Sequence, residues 1–217
     1  MRNLTRILPA ALLALMLAGC ESTYYDAMEK FGIHKREILI DRIEDAQTAQ
    51  EEGQEQFRDA LEQFQAMVNF EGGELEDIYN RLDSEYQDSV DAAETIRDRI
   101  DAVESVAEAL FDEWTAELDQ YSSAALRRDS ERQLDQTRRR YEKLISSMRR
   151  AEATIDPVLD SLKDNVLFLK HNLNARAIAS LKGELGNVNE DVTNLIEAMQ
   201  RAINESNAFI EQMREGT

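Results

Sequence analysis

Between residues 75 and 121 an apolar or aromatic side chain returns every seven residues, and a long helix packed against other helices is the structure that uses such spacing. One row reads Leu75, Leu82, Ser89, Ile96, Val103, Leu110 and Glu117. Its companion reads Tyr79, Tyr86, Ala93, Ile100, Ala107, Trp114 and Tyr121. Ser89 and Glu117 alone depart from the pattern, so one seam runs through nearly seven heptads. A strict period of seven predicts left-handed packing against partner helices.

Two further runs repeat the pattern. Leu134, Tyr141, Met148, Ile155, Leu162 and Leu169 recur every seven residues, joined by Ile145, Leu159, Val166 and Leu173. Ile178, Leu185, Val192, Met199 and Met213 pair with Leu181, Val188, Leu195, Ala202 and Phe209, and Ser206 interrupts that seam. The stretch from about Ile33 is less regular: Ile40, Ile43, Phe57, Leu61, Phe64 and Val68 share a stripe with Gln47, Gln50 and Gln54 in its middle. A polar patch in a seam sets register at a cost in stability; an internal polar cavity is the second reading. Ala46, Ala49, Gly53 and Ala60 lie beside it and are small enough to let helices approach closely. Two prolines and eight glycines in 217 residues leave few breakers, and β-branched runs suited to a sheet are missing. Asn69-Phe70-Glu71-Gly72-Gly73-Glu74 reads as a hairpin turn. Around Tyr121-Ser122-Ser123 neither Gly nor Pro appears, so a turn and a continuous helix both remain open. Asp156-Pro157 reads as a cap with the first helical residue, or as a kink in a longer helix. The expected fold is all-α: an elongated antiparallel bundle of four helices near 33–69, 75–121, 124–172 and 175–214, roughly 55 to 75 Å long.

Charge is arranged by segment within a net of −19. From Glu44 to Asp119 there are 24 acids against Arg58, Arg81, Arg97 and Arg99. From Arg127 to Arg150 nine basic residues face four acids. The plain reading is that this helix complements its acidic neighbours; the sharper one is a docking surface for acidic headgroups or an acidic partner. In an up-down bundle Lys30, Lys35, Arg36, Arg127, Arg128 and Arg132 would gather at the end where the first helix begins.

What precedes that helix reads as an address. Arg2 and Arg6 form a basic head, Ile7 to Ala18 an apolar stretch, and Leu17-Ala18-Gly19-Cys20 closes it. This resembles the lipobox of bacterial lipoproteins, whose Cys is acylated after the signal is removed. The stretch is shorter than the ~20 residues that spanning takes. An ordinary secretory signal would give the sole cysteine no part to play. The domains expected are therefore a signal peptide at 1–19, the lipidated Cys20 with a tether at 20–32, and a helical domain at 33–217. Removing Arg2 and Arg6 takes the mature net charge from −19 to about −21. Nucleic acid is not expected as a partner of such a body. Glu21 follows the acylated Cys, where an Asp would suggest inner-membrane retention, so the inner leaflet of the outer membrane is favoured. Surplus seam residues would permit homo-oligomers.

Catalytic constellations are not apparent. His34 and His171 are the two histidines, and neither belongs to an HExxH or Exx-His pair. A phosphate loop and a Gly-x-Ser-x-Gly elbow are also missing, so neither catalysis nor a cofactor is expected. Trp114 and the seam tyrosines read as core residues first, and lining a ligand groove is the lesser alternative. The segment from Val166 to Ile178 is apolar on more than one face and crowds His171, Asn172, Asn174 and Arg176 at a turn. Capping explains those polar residues; a partner-binding tip is the alternative.

Tyr24-Tyr25, Gly32-Ile33-His34-Lys35-Arg36, Asn69 to Gly73, Ala109 to Trp114 and Leu167 to Leu181 resemble the Gram-negative lipoprotein family catalogued as domain of unknown function 2959. The resemblance implies a helical anchored lipoprotein and carries over no catalytic residues. The functional expectation is a lipid-anchored envelope protein with a scaffolding or interaction role toward an unknown envelope partner. Its competitor is a periplasmic module that binds a lipid or other amphipathic ligand.

Overall fold

The computed structural model describes residues 34–69, 75–172 and 174–215. Helix α1 spans Lys35–Val68, α2 Leu75–Glu117, α3 Ala124–Glu152, α4 Ile155–His171 and α5 Ala175–Glu215, with a single 3-10 turn at Leu118–Gln120. Among the described residues every regular element is helical, and the bundle has four limbs because α3 and α4 together form one. The signal segment, Cys20, the tether with Lys30 and the Gly72-Gly73 hairpin lie outside the described residues.

Limb α1 packs along α2 and α5, and the α3–α4 limb packs along the same two from the other side. The ion pairs fix the direction of each limb. Lys35 at the start of α1 meets Glu113 near the end of α2, and Glu44 meets Arg214 near the end of α5. Arg149 reaches Glu104 while Arg97 reaches Asp156, so the third limb runs antiparallel to α2. One end of the bundle therefore holds the start of α1, the α2–α3 turn and the end of α5. The α4–α5 turn lies at the other end.

The heptad reading of α2 holds through its middle, while Leu75, Tyr79, Tyr86 and Trp114 are half-buried and Tyr121 is exposed. Leu82, Ser89, Ala93, Ile96, Ile100, Val103 and Ala107 are all buried. Ile78, Val106 and Phe111 are buried as well, because a helix with two neighbours buries a broader face than a two-stranded seam does. Each fully buried Leu, Ile, Val, Met or Phe contributes on the order of 1.5–3 kcal/mol relative to exposure. Helix α1 buries Ile43, Phe57 and Phe64 completely. At Gly53 a Cβ atom would lie 2.7 Å from Ile96 Cδ1 and 3.8 Å from Met199 Cε. The small-residue stripe on α1 therefore brings its backbone close to both flanking limbs.

The limits of the helices differ from the expected ones at two junctions. Helix α2 ends at Glu117, not near 121; Leu118 is buried, Tyr121 turns extended, and the Ser123 side chain accepts a hydrogen bond from the Leu126 amide. A side-chain cap thus ends the run without Gly or Pro. The expected helix over 124–172 is broken at Ala153–Thr154. Pro157 has no N–H to offer the carbonyl of residue 153, and its ring crowds that carbonyl. Helix α4 restarts at Ile155 with Pro157 in its first turn, where an N–H would have no intrahelical partner. Met148, Ile155, Leu162 and Leu169 are all fully buried, so the heptad row passes through the break.

The polar patch of α1 lies inside the packed core. Gln50 and Gln54 are buried; Gln54 Nε2 donates to the Ile196 carbonyl at 3.4 Å and its Oε1 accepts from Arg58 at 3.3 Å. Gln50 is fully buried, and neither its Nε2 nor its Oε1 has a hydrogen-bond partner among the described residues.

Candidate functional site

The two ends of the bundle carry the residues singled out by sequence, and they carry them differently. At the end where α1 begins, Lys35 is buried and its Nζ lies 3.2 Å from Glu113. That pairing makes it a structural lysine, not the accessible contact residue expected. Arg127 donates to Asp119 at 2.8 Å, and Arg132 pairs with Asp129 one turn earlier. Arg128 is exposed and has no ion pair among the described residues. Two large apolar side chains are exposed in the same turn, Tyr121 at 42% and Leu126 at 58%. Exposed cations beside exposed aromatic and aliphatic groups suit a lipid headgroup boundary.

Much of the basic helix α3 complements its neighbours, as its plain reading had it. Arg149 sits among Asp101, Glu104 and Glu152 at 2.5 to 2.7 Å. Its hydrogen bond with Glu104 above all, then those with Glu152 and Asp101, hold the guanidinium pKa well above its ordinary value. Arg138 donates to Thr115 Oγ1 and to the Phe111 carbonyl, and its guanidinium lies 5.5 Å from the Phe111 ring centre. Tyr141 stands edge-on to that ring at 5.4 Å. Burial, and next the charge on Glu104, push the Tyr141 phenol pKa up. Lys143 pairs with Glu205 of α5.

Between the four limbs at this same end lies a groove of about 420 Å³. Leu110 and Trp114 come from α2, Phe209 and Met213 from α5, Arg36 from α1 and Arg140 from α3; Gln133, Gln136, Thr137 and Gln212 complete the lining. The Trp114 indole N–H donates to Ser130 Oγ at 2.8 Å, so its polar edge is satisfied. The opening has a sequence cause. On α3 the lining residues are Gln133, Gln136, Thr137 and Arg140, polar side chains where Leu or Ile would close the bundle. In the sequence a ligand groove at Trp114 ranks behind a core role, and Thr137 on the facing helix is the signal that could have raised it.

At the other end the polar residues are mostly caps. The Asn174 side chain accepts from the Arg176 and Ala177 amides at 3.0 and 3.1 Å, capping α5. Asn172 Nδ2 donates to the Phe168 carbonyl at 2.9 Å. His171 and Arg176 are exposed. Val166 and Leu169 are buried, whereas Leu167 at 45% and Phe168 at 40% face outward and form a small apolar patch.

Among the described residues no helix is long and apolar enough to cross a membrane, and no group of three or more His, Cys, Asp and Glu side chains is placed to hold a metal ion. The model of the family described as "Protein of unknown function (DUF2959)" matches residues 24–213, and the chain belongs to that family. No curated protein and no solved structure matches it.

Proposed function

We propose that this member of the DUF2959 family is a lipid-anchored cell-envelope protein, held by acylated Cys20, whose bundle is a rigid spacer presenting its far tip to an envelope protein. The observation that carries the reading is that the exposed large apolar side chains stand at the two ends of the bundle, far apart, with a packed body between them. Helix α5 has 41 residues, so the ends lie about 60 Å apart. The chain from Cys20 enters α1 at the end with Arg128, Tyr121 and Leu126. The apolar pair Leu167 and Phe168 stands with His171 and Arg176 at the end remote from it.

A closely packed core supports a scaffold, since the limbs are joined by long apolar rows and cross-limb ion pairs along their length. The body's acidity keeps it soluble, and its repulsion from anionic headgroups is screened beyond about 8 Å in physiological salt. Three acyl chains on Cys20 would exceed the two membrane signals that stable anchoring takes.

The test is photo-crosslinking in intact cells from positions 36, 128 and 171, with palmitate labelling of the wild type and of Cys20→Ser. The reading expects label on the wild type alone, lipid adducts from 128, and one recurrent protein adduct from 171. Palmitate on neither chain would end the anchoring. Protein adducts from 128 with none from 171 would reverse the polarity and end the scaffold assignment.

A further inference from the structure

We infer that the groove between the four limbs binds a single-chain anionic amphiphile, its alkyl chain against Leu110, Trp114, Phe209 and Met213 and its acid group with Arg140. The inference rests on the groove alone and does not depend on the acylation of Cys20.

The lining selects this chemistry step by step. Four large apolar side chains, two from α2 and two from α5, line it. Because the indole N–H of Trp114 is already bound to Ser130, the ring offers the groove an apolar surface and no free donor. That disfavours a sugar or nucleotide base and favours hydrocarbon. The volume of about 420 Å³ falls within the ~300–1,000 Å³ of small-molecule sites and is small for a peptide helix or a two-chain lipid.

Charge then fixes the sign of the ligand. The chain carries 44 acids against 25 Lys and Arg, yet no Asp or Glu lines this groove and two arginines do. Arg140 is exposed on α3 and has no ion pair among the described residues, whereas Arg149 on the same helix sits among three carboxylates and Arg138 is bonded to Thr115 and the Phe111 carbonyl. A guanidinium presents several fixed donors and binds a carboxylate or phosphate by two parallel hydrogen bonds. Gln133, Gln136 and Gln212 add neutral donors and acceptors for the remaining oxygens of a headgroup. Apolar wall, guanidinium charge and neutral amides together match a fatty acid or a lysophospholipid with an acidic head.

The chain contains one tryptophan, Trp114, and it lies in the groove wall. Its fluorescence therefore reports occupancy directly. The whole chain carrying Cys20→Ser is titrated with a bromine-tagged medium-chain fatty acid below its micelle concentration. In parallel it is titrated with a bromine-tagged alkyl maltoside of equal chain length. Saturable quenching by the fatty acid is expected, with the neutral maltoside about tenfold weaker. Arg140→Gln should also weaken the fatty acid about tenfold, the usual loss when a charge-assisted hydrogen bond is removed. Thr137→Phe, which fills the groove, should abolish saturation with helix content unchanged. If that variant does not fold, Arg140→Gln still decides, since Arg140 is exposed and outside the core. Quenching that never saturates would overturn the site. Equal affinity of the fatty acid for the wild type and Arg140→Gln, or of fatty acid and maltoside for the wild type, would overturn its anionic specificity.

Discussion

Replacing Gln50 by Met should make the protein more stable. The side chain is fully buried on α1, and both ends of its amide lack a hydrogen-bond partner among the described residues. A buried polar group without a partner costs roughly 1–3 kcal/mol of desolvation. Met keeps the unbranched shape, adds apolar contact and adapts to irregular space, so repacking takes back less than about 1.5 kcal/mol. The net gain is about 1 kcal/mol. For a chain of this length each kcal/mol moves Tm by about 2–4 °C, which gives a rise of about 2–4 °C. Helix ellipticity followed through a thermal scan measures it, and urea unfolding with an unchanged m value confirms that both states keep their compactness. Gln54→Met is the control. Its amide is bonded to the Ile196 carbonyl and to Arg58, so the same substitution there should gain less or destabilise. A Tm unchanged or lowered by Gln50→Met would refute the reasoning, because it would mean that the amide is satisfied within the fold. Sedimentation of the variant answers a separate question. If the glutamine layer sets register, the variant should populate more than one species.

Gly183 and Gly186 are exposed within α5, and a Cβ at either would meet nothing within 4 Å. Gly183→Ala and Gly186→Ala should therefore each stabilise by about 1 kcal/mol and raise Tm by about 2–4 °C, additively; a fall on thermal melting would contradict the open surface assigned there. Ile100→Asp places a carboxylate at a fully buried seam position and should cost about 4 kcal/mol or more, lowering Tm by at least about 8 °C. An unchanged melt would mean the seam faces water. The Tyr141 phenol keeps its proton in the folded state beyond the unfolded value of about 10. Above pH 10 the unfolded state thus binds fewer protons than the folded one, and stability should fall as pH rises. Denaturant midpoints across pH 9 to 11 should show that decline in the wild type and a shallower one in Tyr141→Phe; identical slopes would rule out a protected phenol.

The all-α class, the antiparallel limbs and most of the buried positions were legible in the order of residues along the chain. Those properties follow from periodicity, and a side chain's place in a heptad is fixed by the helix it sits on. The rows through Ile96, Ile100 and Val103 and through Met148, Ile155 and Leu162 were legible for that reason. The close approach at Gly53 was legible too, since a missing side chain leaves its space to a neighbour. Local chemistry near the turns could be read only as alternatives. Whether Tyr121 to Ser123 turned, and whether Pro157 capped or kinked, depended on what packed beside them: Leu118 is buried, and Ala153–Thr154 breaks the helix while Ile155 keeps its place in the row.

Which charges are spent within the fold depends on how the limbs pack against one another. Lys35 and Arg128 look alike in the sequence, yet one is buried against Glu113 on another limb and the other is exposed. Pairing is a matter of distances between helices, which the order of residues along one helix does not encode. The groove has the same origin. Trp114, Thr137 and Phe209 are remote in the chain, and each alone is an ordinary seam residue. They form a hollow because polar side chains on α3 come level with large apolar ones on α2 and α5. That depends on how the limbs are staggered, which side chains from all four of them settle together.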